Sequence, residues 1–130
     1  MRAFVDTNVI VRHLTQDRPD QGRRATAFLF AADVLHLADV VVAETVYVLQ
    51  SVYGASRADV AQGVRATLEF PAIELENRAR LLRAIDVYER DRIDFADAYL
   101  VALAEASAVK QIASFDRSLD PVETVTRIEP

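Results

Sequence analysis

Apolar positions in this chain fall into two kinds of run. Ala3-Phe4-Val5, Val34 to Ala38, Ile73-Glu74-Leu75 and Gln111 to Ser114 are brief and bounded by polar or turn residues. Such runs predict strands, and Arg2 to Asp6 reads as a short, buried first one. Val125 to Ile128 predicts a fifth strand at an edge. Between them lie longer stretches with helical spacing. Thr7 or Asn8 is placed to cap a first helix carrying Val9, Ile10 and Leu14. Asp17-Arg18-Pro19-Asp20 is a turn, with Pro19 in the first turn of a second helix where Ala25, Phe28, Leu29 and Ala32 face inward. Asp39 is placed to cap a third helix, and Gly54 to end it in a left-handed conformation. Ser56 with Asp59 opens a fourth, which Phe70-Pro71 breaks. Asn77 to Asp91 predicts a fifth helix, with Leu81, Leu82, Ile85 and Tyr88 inward, and Asp94 caps a sixth that continues to Val109.

Short strands alternating with helices predict an α/β fold, a mostly parallel sheet of four to five strands with helices on both faces. At 130 residues, the chain is expected to form one domain over positions 1–130. Apolar residues make up 52% of the chain, with mean hydropathy near zero, as in globular proteins. The absence of cysteine excludes disulfides and thiolate metal sites. With three glycines and no glycine-rich phosphate loop, Rossmann and P-loop nucleotide binding are excluded. The longest apolar region, Val34 to Val52, carries Asp39 and Glu44 inside it, which argues against a membrane span. No signal peptide is expected, because a strand follows Met1-Arg2 directly, and a cytoplasmic protein is the expectation.

Against this apolar background, four acids stand out. Asp6 ends the first strand, Glu44 interrupts a helix that is apolar nearly all round, Asp97 opens the run Ala98 to Ala106, and Asp116 follows Ile112 to Phe115. Carboxylates are rarely buried unless paired or bound to metal. Glu44, with apolar neighbours on every side, is expected to be the least solvated. Ligands of parallel sheets bind beyond the carboxyl ends of strands, where Asp6 and Asp116 fall. Two such charges about 4 Å apart repel by roughly 4 kcal/mol at an effective dielectric near 20. A gathered set must therefore take up protons or a cation. Oxygen-only donors favour Mg²⁺ or Mn²⁺, one or two ions, and such a cage suits phosphodiester hydrolysis. Each acid also has a plainer reading. Asp6 and Asp94 sit where helix caps belong, and Asp116 can simply start the turn Asp116-Arg117-Ser118.

Net charge is −5 and the isoelectric point about 5.0, yet fourteen of the fifteen basic residues are arginine. Arginine suits bidentate phosphate contact, so the balance neither supports nor excludes an RNA substrate. Arg80, Arg83 and Arg90 read as a solvated helix face, with RNA contact the lesser reading, whereas Arg12, Arg18, Arg23 and Arg24, nearer Asp6 in sequence, are slightly better candidates for RNA contact. Tyr47, Tyr53, Tyr88 and Tyr99 fit core spacing, and His13 and His36 read as structural or surface residues.

Four segments together resemble the signatures of PIN domains: Phe4-Val5-Asp6-Thr7-Asn8-Val9-Ile10, Ala43 to Leu49, Asp94-Phe95-Ala96-Asp97-Ala98-Tyr99-Leu100 and Ser114-Phe115-Asp116. Their order is most similar to that of VapC-type toxins of type II toxin–antitoxin pairs, and the likeness runs over essentially the whole chain. The resemblance implies a PIN-like three-layer α/β/α sandwich and a Mg²⁺- or Mn²⁺-dependent endoribonuclease. It also implies a homodimer held inactive by a cognate VapB-type antitoxin. By position, Asp6, Glu44 and Asp97 match the three core acids and Asp116 the more variable fourth. Thr7 or Asn8 and Ser114 match small polar positions that orient the acids. Asp94 is an extra acid, a cap first and a metal ligand second. A catalytically silent PIN-like scaffold is the alternative. A Mg²⁺-dependent phosphoryl-transfer domain is a weaker one: a phosphatase of that kind needs a second aspartate where this chain has Asn8, and a receiver needs a paired acid after its first strand.

Overall fold

The computed structural model describes residues 1–130. Element order is β1 (Arg2–Phe4), α1 (Thr7–Thr15), α2 (Pro19–Ala31), β2 (Val34–His36), α3 (Asp39–Ser51), α4 (Arg57–Leu68), β3 (Ile73–Glu74), α5 (Arg78–Asp91), α6 (Phe95–Ala106), β4 (Gln111–Ala113) and β5 (Thr126–Ile128). All strand pairings are parallel, as expected of an α/β chain in which helices connect successive strands. The strands pair as β1-β2-β3 and as β4-β5. The chain divides into two compact units, Met1–Arg78 and Ala79–Pro130. No helix is long and apolar enough to cross a membrane.

In the first unit, β2 is central, with Leu35 aligned to Ala3 on one side and Ile73 on the other. Helix α1 packs against α2 and α3, and α3 against α4. Ile10, Leu29, Leu35, Val46, Val60 and Leu68 form its fully buried centre. Gly22 lets the end of the Gln16 side chain lie against α2, and a Cβ there would displace that amide. Gly54 takes the left-handed conformation expected after α3, with φ of 65°. Ser56 caps α4 by accepting a hydrogen bond from Asp59 N–H at 3.1 Å. Two other caps shift by a residue. Asp39 is the first residue of α3, leaving Ala38 at the cap, and Thr7 is the first residue of α1, leaving the cap position to Asp6.

In the second unit, Leu81, Ala84, Ile85, Val87 and Tyr88 of α5 and Ala98 and Val101 of α6 supply the core. Helix α6 ends three residues before the expected Val109. The Ser107 hydroxyl donates to the Ala104 carbonyl and accepts from Val109 N–H, replacing the next helical turn.

The apolar runs mislead at several positions. Phe4, read as part of a buried strand, is 79% exposed, and only Val5 of that pair is buried. Tyr47 is 67% exposed and Tyr53 also lies outside the core, while Tyr88 is fully buried. Leu82 is half-buried. Arg83 is not on a solvated face: it forms a bidentate pair with Glu105 of α6, at 2.5 and 3.1 Å.

Candidate functional site

In the first unit, the chain leaves β1, passes Val5 into the core, and turns at Asp6 into α1. Asp6 is extended (φ −91°, ψ 158°) and occupies the cap position, yet its side chain makes no capping hydrogen bond. The carboxylate therefore faces outward at a helix N-terminus, where the helix dipole favours an anion. Glu44 comes to the same place from the middle of α3. It is exposed, contrary to the expectation that apolar neighbours would enclose it. The reason is geometric. Val42, Thr45, Val46 and Leu49 turn to the core, while Val40, Glu44 and Tyr47 share the opposite face, and Val40 is itself 73% exposed.

Asp6 and Glu44 line one cavity of about 260 Å³, together with Thr7, Asn8, Arg12 and Tyr53. Neither acid has an ion-pair partner. Thr7 is buried and Asn8 exposed, and neither side chain hydrogen-bonds to Asp6. They wall the cavity without clamping its acid.

The second unit holds the other three acids. Asp97 is half-buried in the first turn of α6. Burial pushes its carboxyl above the ordinary value, and the charges of Asp116 and Asp94 push it further. Asp94 is at the cap position of α6, as expected, but its side chain accepts no capping bond. Asp116 does what the plain reading anticipated. Its Oδ1 accepts from Ser118 N–H at 2.9 Å and caps a 3₁₀ turn, Arg117–Leu119. That bonding, first through Ser118 and then through the field of Arg127, holds Asp116 below the usual carboxylate range. Asp116 therefore stays ionised, and the mutual repulsion falls on Asp97. Ser114 Oγ accepts from Asp116 N–H at 2.9 Å and fixes the backbone that carries this acid.

The donors in each unit are carboxylates and neutral oxygens, the chemistry that a hard divalent ion takes. No group of three or more carboxylate or imidazole side chains stands close enough to hold a metal ion. Asp6 and Glu44 are thus a two-carboxylate set in one unit, and Asp97, Asp94 and Asp116 are electrostatic neighbours in the other. Both histidines are engaged elsewhere. His13 Nδ1 lies 2.7 Å from Thr26 Oγ1, its ring meets Phe70 edge-on, and burial lowers its pKa. His36 lies 3.6 Å from Glu74 and against Phe4.

Tyr53 was not among the expected site residues, and Arg12 was expected only as one of four candidate RNA contacts. Arg12 had a local signal, being four residues after Asn8 and so on the same face of α1. Tyr53 had none, because it lies beyond the end of α3 and reaches the cavity only through the fold.

A family model described as the PIN domain matches residues 3–124. A search of solved structures finds a distant likeness to the crystal structure of VapBC2 from Rickettsia felis bound to a DNA fragment from their promoter. That likeness has 12% identity and a TM-score of 0.39, and covers 98% of each chain. No curated protein matches.

Proposed function

This chain belongs to the PIN domain family, and from that premise we propose that it is a metal-dependent endoribonuclease, the toxin of a VapBC-type pair. In this reading residues 1–130 act as a single PIN-like domain, whose partners are RNA, a VapB-type antitoxin and a second copy of the chain. Asp6, Glu44 and Asp97 are the core catalytic and metal-holding acids, with Asp116 as fourth and Asp94 as an added ligand. The observation that carries the reading is the pair Asp6 and Glu44, which face one cavity with no cap or ion pair to account for them. The elevated pKa of Asp97 beside Asp116 and Asp94 supports it independently.

Asp6, Glu44, Asp97 and Asp116, with Asp94 added, would hold Mg²⁺ or Mn²⁺, one or two ions, which would supply Lewis acidity for in-line hydrolysis of the phosphodiester. The chain's own groups hold and orient. Asp6 stands at the N-terminus of α1, Thr7 and Asn8 shape the wall beside it, and Ser114 holds the Asp116 backbone. Asp97 takes up a proton readily when no cation offsets its neighbours. Histidine has no part, since His13 is bonded to Thr26 and His36 faces Glu74.

The alternative reading is a silent scaffold that keeps the fold without the chemistry. Cleavage of structured RNA in Mg²⁺ by wild type and Asp6→Asn separates the two. The variant is expected to lose at least about a hundredfold in rate. Equal activity in both proteins would sink the nuclease reading.

A further inference from the structure

Arg12 is held at three points. Its Nε donates to Gln21 Oε1 at 3.0 Å, and its Nη1 to the Asp17 carboxylate at 3.3 and 3.4 Å and to the Tyr53 hydroxyl at 3.2 Å. The Tyr53 hydroxyl in turn donates to Asp17 Oδ2 at 2.7 Å, and this bond is the main reason that Asp17 sits below the usual carboxylate range. The second terminal nitrogen, Nη2, makes no hydrogen bond within the protein. Arg12 and Asn8 form the common wall of two cavities: the one that holds Asp6 and Glu44, and a larger one of about 540 Å³ along α1 and α2, lined also by Arg24 and Phe28.

From this geometry, and resting on the nuclease reading above, we propose that Arg12 is a substrate-positioning residue that grips a backbone phosphate of the RNA strand next to the one cut. Two carboxylates in a small cavity repel a polyanion, and the unused Nη2 donor of a guanidinium at the same wall gives a phosphate a point of attachment there. A guanidinium already immobilised by Asp17, Gln21 and Tyr53 loses little further freedom on binding. Its free N–H groups point to a planar, charge-assisted contact with phosphate oxygens. Arg12 also sets the strand's course, because a phosphate held there directs the next nucleotide into the α1–α2 groove, toward Phe28 and Arg24.

The test is steady-state cleavage of a short single-stranded RNA in Mn²⁺ over a salt series, with fluorescence anisotropy of the same RNA as a binding readout. Wild type, Arg12→Gln, Arg12→Lys and Asp6→Asn are compared. Arg12→Gln is expected to raise KM about tenfold with kcat within about twofold, and to flatten the salt dependence of binding by about 0.7, the contribution of one phosphate contact on a single strand. Arg12→Lys keeps the salt slope and raises KM by a smaller factor. If Asp6→Asn abolishes cleavage while Arg12→Gln keeps the wild-type KM and slope, Arg12 only ties α1 to its neighbours and the proposal falls. If Asp6→Asn cleaves like wild type, the nuclease reading falls, and an unchanged Kd and slope for Arg12→Gln then overturns the Arg12 contact separately. Should Arg12→Gln not fold, Arg12→Lys carries the test, and a wild-type KM there overturns the guanidinium's role.

Discussion

Asp97 illustrates how one side chain links stability to pH. Its folded-state pKa lies above the ordinary 3.8, chiefly through burial and then through Asp116 and Asp94. In the unfolded chain it releases its proton near that ordinary value, while the folded chain keeps it to higher pH. The folded state therefore binds more protons in that window, and stability falls as pH rises from about 3.8 through the raised value. Asp97→Asn removes this loss. Thermal melts in EDTA at neutral pH should show a rise of roughly a few degrees for the variant, and a flatter pH profile above pH 4. Asp116 has the opposite sign. Its bond from Ser118 N–H contributes above the ordinary aspartate value and is lost as pH falls through the depressed one. Neither behaviour is visible from composition. The acid's position in the chain marks it as unusual, but whether its charge is opposed by Asp94 or satisfied by Ser118 depends on atoms placed by folding.

At the scale of elements, local signals located the caps and breaks that local chemistry controls. Ser56 is the clearest case, since its side chain and the Asp59 N–H are three residues apart. Ser56→Ala should cost about 1 kcal/mol in urea denaturation, with the slope unchanged. Leu35, fully buried in the central strand β2, tests the core of its unit, and Leu35→Ala should cost about 2–5 kcal/mol. A variant within about 0.5 kcal/mol of wild type would mean that β2 is not central to that core. Helix α3 is where local reading failed. An apolar run with one glutamate reads as buried on all sides, yet a helix against one neighbouring layer buries only one stripe. The opposite stripe, with Val40, Glu44 and Tyr47, stays exposed, and that is why Glu44 reaches a cavity and not the core.

For the whole molecule, the proposed function is tested by the response to divalent cations. A cation that binds only the folded state stabilises it by about 2.7 kcal/mol at a hundredfold excess over its Kd. Mn²⁺ should raise the melting temperature of wild type accordingly, EDTA should reverse the rise, and Asp6→Asn combined with Asp97→Asn should abolish it. A double variant that Mn²⁺ stabilises as strongly as wild type would place the cation elsewhere. The alternation of strands and helices, the turn at Gly54 and the family signatures around Asp6, Glu44, Asp97 and Asp116 were all legible in the chain, because spacing, caps and motifs are encoded by residues within a few positions of one another. The tertiary structure alone decided that five short strands pair as three and two, and that Glu44 and Phe4 face outward. It also decided that Arg12 is held by Tyr53 from 41 positions away. Those outcomes rest on which surfaces meet across long separations, a choice made by packing the whole chain and carried by no single segment.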